Sequence, residues 1–189
     1  MPRSPGETGG DDPDNELFRD AAQPASPEPL PELLAVHFHT GPIAAAPLHP
    51  NLKTLLAFWS AKCRGERPPA RADLPVYELK PWLGHLAILE PAPGTFRFRL
   101  GGTDLIPRFG RETTGLTLAD IPPALRKPLA AMLDIASSRQ APLAAATAIR
   151  HRGRRTLWSE LMLPLAAGRA GPALLLLAAY PMEVGPGMP

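Results

Sequence analysis

Residues 96 to 116 read FRFRLGGTDLIPRFGRETTGL. Phe96, Phe98 and Leu100 alternate with Arg97 and Arg99, the period of two that marks a strand buried on one face. The run then meets Gly101-Gly102, a break in the backbone. A short apolar stretch follows (Leu105, Ile106, Phe109), interrupted by Pro107, Gly110 and Gly115. A strand, a sharp turn and short broken helices do not build a dinucleotide or nucleoside triphosphate site. They build the lid of a small sheet.

Working outward, His85–Glu90 predicts a second strand that turns through Pro91–Gly94 into Thr95–Leu100 as a hairpin. Asn51 is read as the N-cap of an amphipathic helix carrying Leu52, Leu55, Leu56, Trp59 and Cys63 on one stripe and ending before Gly65. Val76–Leu83 holds a helical turn, with Pro81 starting a new element. Downstream, Pro123–Arg139 is a helix with Leu125, Leu129, Met132, Leu133 and Ala136 on one face. Pro128 marks a restart near its beginning. Leu143–His151 turns through Arg152-Gly153 into Thr156–Leu165, and Ala173–Met182 closes the set. The last strand is almost continuously apolar, as at a sheet centre covered on both faces. The expected fold is therefore α+β: a five-stranded antiparallel sheet with helices packed on one face, preceded by an amphipathic helix.

Composition divides the 189 residues unevenly. Ten of the 26 prolines fall in the first fifty residues, with eight acidic side chains against Arg3 and Arg19, a charge of about −6. The remainder carries 18 basic and 10 acidic groups, about +8. Residues 1–50 are read as a disordered or weakly ordered acidic segment, in which Leu33–Phe38 could form a short extended or helical piece. Residues 51–183 form the folded domain and 184–189 a flexible tail. Cys63 is the only cysteine, so no intrachain disulfide framework exists and a reducing compartment fits. No signal peptide is visible, and the longest apolar run falls short of the roughly twenty residues of a spanning helix. A cytoplasmic protein without membrane insertion is expected.

The opening helix with Phe58 and Trp59, the Arg71–Asp73 segment, FRFRLGGTDL, RFGRETTGLTLADI and the late LMLPLA strand, in this order, resemble a PAS-like family found mainly in alphaproteobacteria, within the PAS fold superfamily. The similarity covers roughly residues 51 to 182. It implies a sensory or protein-docking role in signal transduction, a signalling protein as partner and dimerisation through the opening helix or the sheet. Members bind haem, flavin, small metabolites or nothing detectable. No kinase, cyclase or DNA-binding module follows Met182, so a stand-alone module that signals through a partner is expected.

Candidate sites follow, each with a plainer alternative. A pocket for a small apolar ligand between sheet and helices would be lined by Phe109, Leu118, Met132, Leu133, Trp158 and Met162, residues that equally suit a filled core. Leu52, Leu55, Leu56 and Trp59 could meet a second copy or their own domain. Haem and flavin are not expected. His85 and His151 lie at strand ends, His37, His39 and His49 lie in the proline-rich lead, and Cys63 sits on an apolar helical stripe. His37 and His39 lack the further ligands of a zinc site. The alternative function is nucleic-acid binding by the basic hairpin, through Arg150, Arg152, Arg154 and Arg155, although no helix-turn-helix or stacking ladder accompanies it. Asp104, Glu112 and Asp120 could be paired carboxylates, but Asp120 reads better as a cap before Pro122-Pro123. No hydrolase, kinase or dinucleotide motif is present, and no enzyme is expected.

Overall fold

The computed structural model describes residues 29–168 and 173–182. Its sheet has six strands, all paired antiparallel: β1 (Glu32–Phe38), β2 (Leu86–Ala92), β3 (Thr95–Gly101), β4 (Leu143–His151), β5 (Arg154–Leu165) and β6 (Leu174–Met182). The spatial order is β1-β4-β5-β6-β2-β3. Four helices accompany it: α1 (Pro50–Lys62), α2 (Val76–Leu79), α3 (Ile106–Phe109) and α4 (Pro123–Arg139). The α+β architecture expected from the sequence is present, with one strand more than expected.

The extra strand, β1, comes from the lead taken as disordered or weakly ordered. ELLAVHF pairs along β4 from Glu32↔Arg150 to Phe38↔Ala145, and Leu33 and Phe38 pack onto the core beneath. Pairing with a preformed neighbour supplies the backbone partners and apolar burial that the segment lacks alone. The folded region therefore starts ahead of Asn51. The remaining terminal expectations, for residues 1–28 and 183–189, lie outside the described residues.

Both faces of the sheet are covered, because the central strands place apolar side chains on each. In β6, Leu175, Leu177 and Ala179 join one core, while Leu174, Leu176, Ala178 and Tyr180 join the other. The first core is capped by α3 and α4, through Phe109, Leu125, Leu129, Met132 and Leu133. The second is capped by α1 and the segment after it, through Leu52, Leu55, Trp59, Leu79 and Trp82. Each fully buried leucine contributes about 1.5–3 kcal/mol.

Three local expectations change. The N-cap of α1 is His49 rather than Asn51: its Nδ1 accepts the Asn51 backbone N–H at 3.2 Å, and Pro50 occupies the first turn, where its missing N–H loses nothing. Pro128 does not restart α4, which runs unbroken through it. Asp120 does not cap α4 but completes a capping box with Thr117 on the short 3-10 helix Leu118–Asp120. Its carboxylate accepts the Thr117 N–H and hydroxyl, each at 2.8 Å, closing the short turn Leu118–Asp120. Those bonds hold its carboxyl below the usual aspartate range, the backbone one foremost.

Candidate functional site

The six side chains expected to line a pocket do come together, beneath α3 and α4. Phe109, Met162 and Leu133 are completely buried, Met132, Trp158 and Leu118 nearly so. Phe98 meets Phe109 edge-on at 5.6 Å between ring centres. Of the two readings open for these residues, their burial matches the filled core.

That core contains one charged pair. Arg108 of α3 and Glu160 of β5 are 1% and 0% exposed. Arg108 Nε donates to Glu160 Oε1 at 2.7 Å, and Nη2 forms an ion pair with the same oxygen at 2.6 Å. Arg108 Nη1, Glu160 Oε2 and the buried hydroxyl of Thr147 are left without partners. The Arg108 guanidinium also lies 4.6 Å from the Phe109 ring centre. Sequence reading missed this pair although a signal existed. Glu160 stands between Trp158 and Met162 on the inward period of β5, and a carboxylate there needs a cation.

An open concavity of about 630 Å³ lies on the other face, beside the β2–β3 edge. It is lined by the buried Leu79, Leu86, Ile88 and Leu174, by Val76 and Leu83, by Arg99, Leu100 and Gly101–Thr103 of the β3 end, and by Arg71. It exists because β3 carries a bulge. Leu89 pairs with Phe98, but Ile88 pairs with Leu100, so Arg99 is the additional residue on β3. The bulge breaks the alternation of FRFRL. Phe96 and Phe98 pack against the α4-side core, whereas Leu100 joins Ile88 in the groove and stays 42% exposed. A strict period of two would have put Leu100 with the phenylalanines.

The rim of the groove is locked by close packing. A Cβ on Gly102 would overlap the Gly84 carbonyl oxygen, and Gly102 N donates to Leu86 O at 2.8 Å. Next to Gly84, His85 begins a stack: its ring lies 3.8 Å from that of Tyr180, whose far side carries His49 at 4.7 Å. His85 Nδ1 donates to Ala179 O at 3.1 Å, and Nε2 lies 3.4 Å from Asp104 Oδ2. His49 uses Nδ1 as an acceptor, which demands the neutral ring. Burial, followed by the charge of His85, lowers its pKa from 6.5. Burial also pushes the Tyr180 hydroxyl up.

The other expected residues are dispersed. Leu52, Leu55 and Trp59 are buried on their own sheet, Leu56 partly so, and Trp59 Nε1 donates to Pro164 O at 3.0 Å. Of the two readings open for this stripe, packing on its own domain is the one present in the single chain. In the basic hairpin, Arg150 pairs with Glu32 at 3.0 Å, neither Arg152 nor Arg155 is without a partner, and Arg154 is exposed. Asp104 lies beside His85, Glu112 accepts from Thr114 at 2.7 Å, and Asp120 serves Thr117, so the three carboxylates go to three separate partners. The Thr114 hydroxyl, above all, holds Glu112 below the usual glutamate range. Cys63 is half-buried, and burial raises its thiol pKa. Among the described residues no group of three or more histidine, cysteine or acidic side chains is placed to hold a metal ion, and no helix is long and apolar enough to cross a membrane.

A single antiparallel sheet with α3 and α4 on one face and α1 and α2 on the other, a hairpin between the two helical segments and three closing strands define a PAS-type α+β domain. A family model described as PAS domain matches residues 48–179, well over half of the chain, and the chain belongs to that family. No curated protein and no solved structure matches it. Membership suggests a sensory or interaction module.

Proposed function

We propose that this chain is a sensory and protein-interaction module of cytoplasmic signal transduction, acting on a signalling protein partner and performing no catalysis of its own. The observation that carries the reading is the way α1 is held. It rests on a core separate from the one under α4, through one apolar stripe and an indole bond near each end. Trp59 Nε1 reaches Pro164 O, and Trp82 Nε1 donates to Asn51 O at 2.9 Å. A body attached this way can shift against the sheet without disturbing the α4 core, which gives two packings that a partner can select between. The module works without haem or flavin. The placement of its histidines supports this: His49 and His85 stack on Tyr180 across the sheet from α4. The engaged arginines of the 150–155 hairpin do not favour the nucleic-acid alternative.

Reciprocal affinity capture from the cells that express the protein tests this reading. The expected result is a partner carrying its own catalytic or DNA-binding domain, recovered from either end and weakened by Trp59→Ala. Recovery of the chain alone, from either end, would overturn it.

A further inference from the structure

We propose that the groove beside the β3 bulge binds an amphipathic monocarboxylate, its aliphatic chain on the leucines and its carboxylate on Arg99 and Arg71. The inference deepens the sensory reading, on which it rests, by giving the module an input. At about 630 Å³, the space falls within the roughly 300–1,000 Å³ of small-molecule sites. The deep part of the lining is aliphatic (Leu79, Leu86, Ile88, Leu174), and no residue of the lining is acidic. Leu100 and Val76 are 42% and 53% exposed at its walls, apolar surface that an alkyl chain would remove from water.

Charge selects the head group. Glu90 is the carboxylate nearest Arg99, and Arg97 already holds its Oε1, with Nε at 2.9 Å. Arg99 forms a long ion pair with Glu90, Nη1 to Oε2 at 3.5 Å, beyond a normal N–H···O bond, which leaves it hydrogen-bond donors for an anion. Arg71 uses one of its five donors on Leu74 O. Two guanidinium groups in the lining of a leucine-floored space repel a cation and add nothing to a neutral alkane. The aliphatic floor adds nothing to inorganic phosphate. A planar carboxylate on an alkyl chain uses both.

The site is distinct from the space under α3 and α4, which is filled by Phe109 and Met132. It reaches Leu79, Leu83 and Leu86, which pack with the core that α1 covers. Filling it therefore acts on the layer beneath α1, not on α4.

The test is calorimetric titration of the full chain with sodium dodecanoate below its aggregation concentration, with dodecanol and dodecyltrimethylammonium as controls. Saturable one-to-one binding of dodecanoate is expected, with weaker dodecanol binding and none of the cation. Arg99 and Leu100 are exposed, so Arg99→Gln and Leu100→Glu leave the fold intact. The first should weaken dodecanoate roughly tenfold, the factor for losing one charge-assisted hydrogen bond near the surface, and the second should abolish binding. Absence of saturable binding overturns the proposal, as does equal binding of the cation or indifference to both substitutions. Failure here with partner capture intact removes the ligand and leaves the module; dodecanoate binding without a partner does the reverse.

Discussion

Replacing Arg108 with methionine strands the Glu160 carboxylate inside the sheet. In the native protein that carboxylate is 0% exposed and takes a hydrogen bond and an ion-pair contact from Arg108. Removing one member of such a pair costs about 3–5 kcal/mol, because the remaining charge keeps its desolvation penalty and loses its partner. Against the roughly 5–15 kcal/mol stability of an ordinary domain, this is about a fifth of the total at the least. It lowers the thermal midpoint by about 10–20 °C. Glu160→Leu should do similar damage by stranding the guanidinium. The double variant Arg108→Met/Glu160→Leu removes both charges together with the unpartnered Nη1 and Oε2 atoms, and should recover most of the loss. Urea unfolding of the four proteins closes the cycle and yields the coupling energy. The reasoning is refuted if Arg108→Met costs less than about 1 kcal/mol, the range of exposed ion pairs. A double variant as unstable as either single would refute it too.

Three further outcomes are expected. Native His49 is held neutral and its pKa lies below 6.5, so between these two values the unfolded chain binds more protons than the folded one. Stability should therefore be fully present above about pH 6.5 and decline as pH falls through the lowered value; denaturation at stepped pH should show this slope, and His49→Asn, which keeps a cap, should remove it. Trp59→Ala empties a buried site and strips the Pro164 carbonyl of its donor, and should cost about 3–5 kcal/mol in the same unfolding assay; a change below 1 kcal/mol contradicts the placement of α1. Gly102→Ala drives a methyl into the Gly84 carbonyl and should lower the thermal midpoint markedly, while Gly94→Ala, which has open space but a left-handed φ of +67°, should cost only the roughly 1–2 kcal/mol of that conformation.

The helices and central strands were legible because their patterns are local. The α1 and α4 stripes follow a helical period, and the near-continuous apolar run of β6 announces burial on both faces. β1 was legible only as a short extended or helical piece, for a complementary reason. ELLAVHF has no alternation of its own, and its stability comes from pairing with β4, over a hundred residues away. The groove was hidden by a single extra residue. Read as a regular strand, FRFRL puts Leu100 in the core, and nothing in five letters says that Arg99 is bulged. The following Gly101-Gly102 was the available hint, since glycine beside a strand end marks close backbone approach. The six apolar residues around Phe109 and Met132 posed a different problem: whether such side chains enclose space or occupy it depends on packing that composition does not carry.

A crystal structure of the full chain grown with dodecanoate would decide where this PAS domain receives a ligand. The expected result is an alkyl chain lying over Leu86, Ile88 and Leu100 with its carboxylate on Arg99, and an unchanged core around Phe109, Met132 and the Arg108–Glu160 pair. Density for the chain beneath α4, with those core side chains displaced, or an empty groove at saturating dodecanoate, would contradict it.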